Sequence, residues 1–316
     1  MDPRLEPAPS VERPTGPATL IVNPNAGRGR VGRELPAVEE ALRRHGFDYR
    51  LEVTSGPGDA TVLARAALER GERFLVAAGG DGTVNEVVNG MLDGDRQVAP
   101  DAVLGVLAAN SGCDVVRTFG LSQDPAAAVQ RFTAGRVYPI DVGKATVATG
   151  SGEAVRYFLG VAEAGLGGAA VARRARVPRA LGRSRYFLGY WAAMATYRRP
   201  AIRLRGDRRE FDGRATNVVV ANLQFTGNGM LISPRSWPED GYLDLQVYVG
   251  PKSESFTLLP KMFQGEHVPR PSILEYRSKA VRIEADRPLH VQADGEPLGR
   301  TPATFEALQQ TLRFLV

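Results

Sequence analysis

A run of glycines around one acid is the part of this sequence best suited to chemistry. Gly79-Gly80-Asp81-Gly82-Thr83 follows a strand predicted over Arg73–Ala78 and opens a helix predicted over Thr83–Leu92. Glycines let the backbone approach a ligand closely, and a helix start offers unpaired N–H groups and a positive dipole end to an anion. Phosphate fits these features. Asp81 would repel a phosphate unless a cation or a hydroxyl lies between them, and the alternative is an ordinary turn in which Asp81 caps the helix.

A second loop follows the first predicted strand. Asn23–Arg30 reads NPNAGRGR and combines residues that accept left-handed backbone with arginines, Arg28 among them, whose planar guanidinium groups suit phosphate oxygens. Gly27, Gly29 and Gly32 also match the dinucleotide pattern G-x-G-x-x-G. However, Asn-Pro-Asn separates the strand from these glycines, and the second strand lacks an acid at its end, so a hydride-transfer enzyme is not favoured.

Alternating strands and helices must position these loops. The predicted strands are Ala18–Asn23, Tyr49–Thr54, Arg73–Ala78 and Val103–Ala109, and the predicted helices between them are Val31–His45, Asp59–Arg70 and Thr83–Leu92. This alternation predicts an α/β fold with a doubly wound, parallel sheet and helices on both faces. In such folds ligands bind beyond the carboxyl ends of the strands, where both loops lie.

A second domain of different character begins near Val137. Its predicted strands are Val137–Val147, Val155–Val161, Ala201–Arg205, Asn217–Leu223, Leu243–Tyr248, Ala280–Ala285 and Leu289–Ala293. Few helical stretches separate them, which predicts a mainly antiparallel β domain. We therefore expect a disordered segment over 1–17, a nucleotide domain over 18–136 and a β domain over 137–316, whose C-terminal segment could return to the first domain.

Composition limits the environment and the partners. The 316 residues include 40 basic and 35 acidic side chains, and the net charge of +5 suits an anionic partner. One cysteine excludes an internal disulfide, and three scattered histidines do not favour a zinc site. No apolar run reaches the roughly 18–20 residues that cross a bilayer. A cytoplasmic protein without a transmembrane segment is the expectation, and no nucleic-acid recognition motif accompanies the positive charge.

Ordered motifs along the chain resemble the diacylglycerol kinase catalytic domain family, which includes soluble bacterial lipid kinases and sphingosine kinases. The glycine run continues as GGDGTVNEVVNG over 79–90, after an NPxxG-type turn. The later matches are Asn222 with Gly227–Met230, Pro234 with Pro238–Asp244, and Asp294-Gly295-Glu296. Gly-Gly-Asp-Gly-Thr alone also occurs in NAD kinases and phosphofructokinases. The resemblance rests on the whole ordered set, which covers roughly residues 18 to 316.

The resemblance implies two domains that enclose a cleft. The first, similar to NAD kinase and phosphofructokinase folds, would hold ATP and Mg²⁺, and the second, an antiparallel β-sandwich, would hold the lipid. The implied ATP-binding residues are Asn23, Gly27, Arg28, Gly79, Gly80, Asp81, Gly82, Thr83, Glu86, Ser111 and Asp114.

Acids of the second domain take their roles from the same resemblance. It makes Asp294 the general base that removes the proton of the lipid hydroxyl, with Glu296 beside it helping to hold metal. It places Asp240 and Asp244 in a structural magnesium site, for which carboxylates are suitable ligands. From the residues alone, plain hairpin turns remain the alternative for both acidic segments.

Two stretches depart from the family pattern. Where the family usually has Gly-Thr-x-Asn-Asp, this chain has Asn110-Ser111-Gly112-Cys113-Asp114. Where the family tends to have Ser-x-Gly-x-Asp, the chain reads Glu163-Ala164-Gly165-Leu166-Gly167, so a carboxylate expected on the substrate side is missing at Gly167. These changes leave the acceptor lipid and the catalytic rate open. For Cys113 we expect a small, buried, inert side chain.

A helical stretch in the second domain combines arginines with apolar side chains. Arginines at 173–185 precede side chains at helical spacing, namely Phe187, Tyr190, Trp191, Met194 and Tyr197. Such a segment suits an anionic membrane surface, with arginines at the headgroups and aromatic rings in the interface. A core helix that covers the β domain is the equal alternative.

The function predicted from these observations is an ATP-dependent lipid kinase, a cytoplasmic enzyme that associates peripherally with membranes. It would transfer the γ-phosphate to a primary hydroxyl of diacylglycerol or a similar lipid, with ATP and Mg²⁺ as cofactors. NAD kinase is one alternative. A nucleotide- or lipid-binding regulator without catalysis is another, and a homodimer stays open.

Overall fold

The protein, described here from a computed structural model over residues 16–108, 113–150, 152–174 and 184–316, divides into two compact units. The first runs to Val142 and includes Leu308–Val316, and the second is Gly143–Ala307. The division therefore falls inside a strand, beyond the 136/137 boundary expected from the sequence, and the C-terminal residues belong to the first unit. The segment expected to be disordered lies outside the described residues up to position 15.

The first unit alternates strands and helices. Its elements are β1 (Ala18–Val22), α1 (Ala26–Arg44), β2 (Tyr49–Val53), α2 (Asp59–Glu69), β3 (Phe74–Gly79), α3 (Asp81–Met91), the short β4 (Leu92–Asp93) and β5 (Arg96–Gln97), β6 (Val103–Ala108), α4 (Asp114–Thr118) and α5 (Pro125–Ala134). The chain leaves this unit within β7 (Val137–Thr149) and re-enters it within β20 (Ala303–Leu315).

The sheet of the first unit is parallel, as predicted. Its order is β20, β6, β3, β1, β2, and every neighbouring pair runs parallel. Strands β1, β3 and β6 are buried at every position, which explains their nearly continuous apolar sequences. The core on one face includes Leu42, Phe74 and Phe132.

Two features of the first unit differ from the prediction. Helix α1 begins at Ala26 rather than Val31, but Gly27, Arg28 and Gly29 have φ values of 60°, 59° and 78°, so the regular helix starts only after them. Helix α5 was not predicted. Its apolar residues Ala128, Val129 and Phe132 are buried, and Pro125 stands in its first turn, where a missing N–H costs little.

The second unit consists mainly of antiparallel strands. Its elements after β7 are β8 (Gly152–Phe158), β9 (Val161–Gly165), α6 (Leu166–Arg174), α7 (Ser184–Thr196), β10 (Ala201–Gly206), β11 (Glu210–Arg214), β12 (Asn217–Ala221), β13 (Phe225–Thr226), β14 (Met230–Leu231), β15 (Leu243–Tyr248), α8 (Ser255–Met262), β16 (Ile273–Ser278), β17 (Ala280–Ala285), β18 (His290–Ala293) and β19 (Glu296–Arg300).

Two antiparallel layers form a sandwich in this unit. One sheet has the order β16, β15, β12, β9, β18, β19, and the other contains β11, β10, β17 and the first half of β20, with β7 and β8 beyond. Alternate residues such as Ala164 and Val218 of the first sheet and Leu204 and Ile283 of the second fill one core. The architecture is the predicted α/β domain with a β-sandwich domain.

The strand predicted over Val155–Val161 is in fact two strands. Strand β8 ends at Phe158 and β9 begins at Val161, because several backbone groups between them, the Leu159 and Gly160 N–H groups and the Leu159 carbonyl, bond to side chains. Asn222 Nδ2 donates to the Leu159 carbonyl at 2.9 Å, and the Leu159 and Gly160 N–H groups donate to Asp294 at 2.9 and 3.0 Å. Long-range polar contacts of this kind leave no signal in local periodicity.

Candidate functional site

The two phosphate-type loops of the first unit lie side by side. Strands β1 and β3 are parallel neighbours with Val22 opposite Ala78, so the residues that follow them share one edge of the sheet. The Asn23 N–H donates to the Ala78 carbonyl at 3.0 Å, and its Nδ2 donates to Thr83 Oγ1 at 3.3 Å. Asn23 therefore joins the first loop to the start of α3.

The glycine run has one closely packed residue and two open ones. A Cβ at Gly79 would lie 2.3 Å from Thr83 Oγ1 and 2.5 Å from Thr83 Cβ, so only glycine fits there. A Cβ at Gly80 or Gly82 would meet no atom of the described residues within 4 Å. Gly80 precedes α3 and supplies no side-chain cap. The N–H groups at the helix start are thus presented beside open space, as an anion site requires.

The loop after β1 adopts an unusual backbone. Three successive residues, Gly27, Arg28 and Gly29, have left-handed φ values, and Arg28 does so without being glycine. Such backbone costs about 1–3 kcal/mol for a non-glycine residue and concentrates at functional sites. Arg33 Nη1 donates to the Arg28 carbonyl at 3.2 Å and stabilises this turn. The Arg28 side chain is exposed and makes no ion pair with the rest of the described chain.

The Asp81 carboxylate caps a neighbouring helix, α4. Its Oδ1 accepts the Asp114 N–H at 2.8 Å, at the start of α4, and approaches the Val115 N–H at 3.5 Å. Cys113 lies at this junction and is fully buried, as expected. Burial and the nearby Asp81 carboxylate raise the pKa of the Cys113 thiol well above its ordinary value, so the thiol stays protonated and unreactive.

Glu86 and Asp114, two further residues with predicted nucleotide roles, make structural contacts. Glu86 accepts the Gly58 N–H at 2.9 Å and the Ala60 N–H at 3.2 Å, which stabilises the start of α2. Asp114 is buried at the start of α4. Ser111 lies outside the described residues, as do Asn110 and Gly112. The structure therefore brings the Asn23–Gly29 loop and Asp114 to the glycine run, whereas Glu86 contacts the start of α2.

The Asp294 carboxylate in the second unit is held by successive backbone N–H groups. Its Oδ2 accepts from Leu159 at 2.9 Å, and its Oδ1 accepts from Gly160 and Val161, both at 3.0 Å. Asp294 and Gly295 form the two-residue turn between β18 and β19 and have φ values of 47° and 81°. This is the hairpin that the sequence left open, but a hairpin alone does not require three donors for one carboxylate. Glu296 begins β19 and is exposed.

Asp240 and Asp244 share a counter-ion, Arg277. Arg277 Nη2 bonds to Asp240, and its Nε lies 3.3 Å from Asp244 Oδ1. Asp244 is buried, and its Oδ2 has no hydrogen-bond partner among the described residues. Burial raises the pKa of Asp244 to about 6, against the lowering effects of Arg277 and of a hydrogen bond from Ser236. Two carboxylates with one arginine leave a negative charge beside a buried acceptor, which fits a further cation.

The residues that sequence reasoning missed act through long-range contacts. Arg277 and the Leu159–Val161 backbone carry no local motif that would indicate their roles. The described residues contain no group of three or more acidic, histidine or cysteine side chains placed to hold an ion.

Known proteins resemble this chain in both of its parts. A model of the diacylglycerol kinase catalytic domain matches residues 17–145, and one of the YegS C-terminal NAD kinase beta sandwich-like domain matches residues 160–316. A probable lipid kinase YegS-like from Klebsiella pneumoniae is 28% identical over 95% of this chain and 96% of its own length. A diacylglycerol kinase from Staphylococcus haemolyticus is 26% identical over 93% of this chain and 86% of its own.

A solved structure extends the likeness to the fold. A diacylglycerol kinase from Bacillus anthracis superposes with a TM-score of 0.71 at 24% identity, over 95% of this chain and 96% of that one. The fold, the glycine loop and these matches define a lipid kinase, an enzyme that uses a nucleotide as phosphoryl donor. The chain belongs to the diacylglycerol kinase family, with its catalytic domain followed by a YegS-type β-sandwich domain. The resemblance and the fold class predicted from the sequence are confirmed.

Replacing Gly79 by alanine should weaken nucleotide binding. The added Cβ would force the short, β-branched Thr83 side chain to move and would break its bond to Asn23. We expect the Kd for ATP, measured by titration calorimetry, to rise by about tenfold or more, since one lost polar contact and a shifted loop amount to about 1.4 kcal/mol. Gly56→Ala is the control, because its Cβ would meet no atom of the described residues within 4 Å. Equal affinities for Gly79→Ala and wild type would contradict the assignment.

Proposed function

We propose that the protein transfers the γ-phosphate of ATP to the primary hydroxyl of a diacylglycerol-like lipid and so forms a phosphatidic acid. The observation that carries this proposal is the Asp294 carboxylate, fixed by the N–H groups of Leu159, Gly160 and Val161 in a left-handed turn. A carboxylate that three backbone donors hold in one orientation has the fixed position that a catalytic group needs. The names of the relatives support the same acceptor class.

Nucleotide binding is assigned to the loops of the first unit. The α3 start presents N–H groups beside the open Gly80 and Gly82, and the exposed Arg28 offers a guanidinium group to phosphate oxygens. Asp81 accepts the Asp114 N–H and so fixes the start of α4. We assign part of its influence on phosphate binding to this positioning of the segment before α4. Glu86 is assigned an effect on nucleotide binding through α2 and α3, which it ties together.

Proton removal is assigned to Asp294. Its carboxylate accepts the proton of the lipid hydroxyl while the hydroxyl oxygen forms a bond to the γ-phosphorus. The bond from that phosphorus to the bridging oxygen breaks, and ADP leaves. Mg²⁺ bound with ATP would offset charge on the phosphates. The three backbone donors keep the carboxylate in one orientation, which supplies the positioning that phosphoryl transfer depends on.

The Asp294→Asn variant tests this assignment. An amide cannot take the hydroxyl proton, so kcat with diacylglycerol in mixed micelles should fall by about 10²-fold or more. The Kd for ATP should stay within about twofold of wild type, because the nucleotide loops belong to the other unit. Asp286→Asn, at a loop carboxyl in the same unit, is the control and should keep its activity. Wild-type turnover by Asp294→Asn would remove the base assignment.

A structural Mg²⁺ is assigned to Asp240 and Asp244. The buried Asp244 Oδ2, which has no partner among the described residues, and the negative charge that Arg277 leaves uncompensated fit a hard cation. Magnesium is often bound by one or two carboxylates, with water completing its coordination. Bound there, it would supply a charge that stabilises the segment before β15. Glu296, exposed at the start of β19, would help to bind the metal ion that accompanies ATP.

Magnesium should therefore stabilise the protein in the absence of nucleotide. At a concentration about ten times its Kd, the ion should raise Tm by about 2–5 °C. Asp244→Asn should abolish this shift, because the substitution removes a buried ligand. Asp212→Asn, which neutralises an exposed acid of β11, should retain it. Scanning calorimetry with and without MgCl₂ measures the difference, and a full magnesium shift in Asp244→Asn would contradict the site.

Membrane contact is assigned to the surface around α8. No helix of the described chain has the length and apolarity that a membrane crossing needs. In α7, Tyr190, Trp191 and Met194 pack against α6, which agrees with the core-helix alternative. The arginines at 175–183 lie outside the described residues, so the membrane role expected for them remains a prediction. Two exposed aromatic rings lie at α8: Phe256 is 62% exposed and stacks on Trp191 of α7 at 4.5 Å, and Phe263, directly after α8, is 43% exposed.

A double variant, Phe256→Ser with Phe263→Ser, tests this surface. Each ring should contribute about 1.5–3 kcal/mol when it leaves water, so vesicle affinity should fall by about tenfold or more. Cosedimentation with vesicles of phosphatidylglycerol and diacylglycerol measures this affinity. Val62→Ser is the control, because Val62 is 64% exposed on α2 of the other unit. Turnover of a water-soluble, short-chain diacylglycerol should be unchanged. Unaltered vesicle binding by the double variant would exclude this surface.

A further inference from the structure

The carboxylate missing at position 167 is replaced in space by that of Glu163. A Cβ built on Gly167 would lie 2.3 Å from the carboxylate carbon of Glu163 and 2.3 Å from each of its oxygens. Glu163 therefore reaches over the first turn of α6 and occupies the position where a side chain at 167 would begin. A side chain at 167 would therefore displace the Glu163 carboxylate, so this position of Glu163 requires the glycine.

Two amide side chains hold the Glu163 carboxylate. Asn217 Nδ2 donates to Oε1 at 2.8 Å, and Gln292 Nε2 donates to Oε2 at 2.9 Å. Gln292 lies directly opposite Glu163 in the β9–β18 pairing, on the sheet face that points away from the sandwich core. Burial raises the pKa of Glu163, and the two amide bonds oppose that shift by stabilising the charged form.

The same amides reach two backbone N–H groups with their oxygens. Gly167 N–H donates to Asn217 Oδ1 at 3.1 Å, and Gly295 N–H donates to Gln292 Oε1 at 2.7 Å. A carboxylate only accepts hydrogen bonds, so it obliges both amides to turn their NH₂ groups toward it. That orientation aims the Gln292 oxygen at Gly295, the residue next to Asp294. In its ionised form Glu163 thereby sets the direction of the bond from Gly295 to Gln292 that holds the Asp294 turn.

We infer that Glu163 is a positioning residue which, through Gln292, fixes the turn that carries Asp294, and that it does so from the place where the family pattern has a carboxylate at 167. The inference rests on the proposed role of Asp294. The α6 start and the β18–β19 turn are held by one hydrogen-bonded series, Gly167, Asn217, Glu163, Gln292 and Gly295.

A second substitution that repairs the first tests the series. Gln292→Glu sets two carboxylates against each other, removes the donor to Glu163 and should lower kcat by about tenfold or more, because small displacements of a catalytic group have large effects. In the double variant Gln292→Glu with Glu163→Gln, the carboxylate introduced at position 292 accepts from the Gly295 N–H and from the amide introduced at position 163. The oxygen of that amide accepts from Asn217. Both bonds of residue 292 are thus restored: position 163 now donates to position 292, the reverse of the wild-type direction, and Gly295 donates to position 292 as before. The kcat should therefore return to within about threefold of wild type.

The matched control keeps the charge of the repaired variant. Gln292→Glu with Glu153→Gln removes an exposed acid of β8 instead and should stay as slow as Gln292→Glu alone. Rates are normalised to the protein that binds ATP, and the KM for ATP should not change in any variant. A double variant no faster than Gln292→Glu, or a Gln292→Glu variant with wild-type kcat, would overturn the inference.

Two further measurements keep the test independent of folding and of the reaction. Gly167→Ala leaves all charges in place and displaces the Glu163 carboxylate by its Cβ, so it should lower kcat in the same way. Hydrogen exchange at the Gly295 amide, measured without substrate, should be faster in Gln292→Glu and Gly167→Ala and normal in the repaired variant. If Asp294 had no catalytic role, this exchange pattern would persist without the kinetic one, whereas unchanged Gly295 exchange would reject the inference itself.

Discussion

The Asp294 carboxylate accepts hydrogen bonds from three successive backbone N–H groups, and the second unit depends on this interaction. It divides one apolar run into β8 and β9, satisfies the donors of the connection between them and fixes a left-handed turn at the end of β18. Without it, buried N–H groups would lack acceptors at a cost of about 1–3 kcal/mol each. The contact that shapes the fold therefore also holds, in one orientation, the carboxylate that we propose as the base.

The first unit meets a different constraint, the register of parallel strands. Because Val22 lies opposite Ala78, the loops after β1 and β3 must end at one edge of the sheet, whatever their sequences. Their residues then decide what the edge can bind. Gly79 permits the contact with Thr83, and the left-handed run at Gly27–Gly29 turns the chain back into α1. Both effects leave helix-start N–H groups and an exposed arginine together, an arrangement suited to nucleotide phosphates.

Local patterns predicted what is local in this structure. The alternation of the first unit, the glycine run before α3 and the strands Leu243–Tyr248 and Ala280–Ala285 follow from apolar periodicity and turn residues, and all are present. The resemblance supplied the family, which the comparisons confirm. The break at Gly160, the Arg277 bridge and the Asp81 contact with α4 depend on residues far apart in the chain, and periodicity carries no record of such pairs. At Gly167 the sequence indicates the loss of a carboxylate, whereas in the structure the Glu163 carboxylate lies where a side chain at 167 would begin.

The central claim is that this family member phosphorylates a lipid alcohol of the diacylglycerol class. The most direct measurement supplies ATP labelled at the γ-phosphate to the full-length protein together with a total lipid extract and NAD in one reaction, and identifies the labelled products by chromatography and mass spectrometry. The account predicts label in phosphatidic acid and none in NADP. Label in NADP, or bound ATP with no lipid labelled, would contradict it.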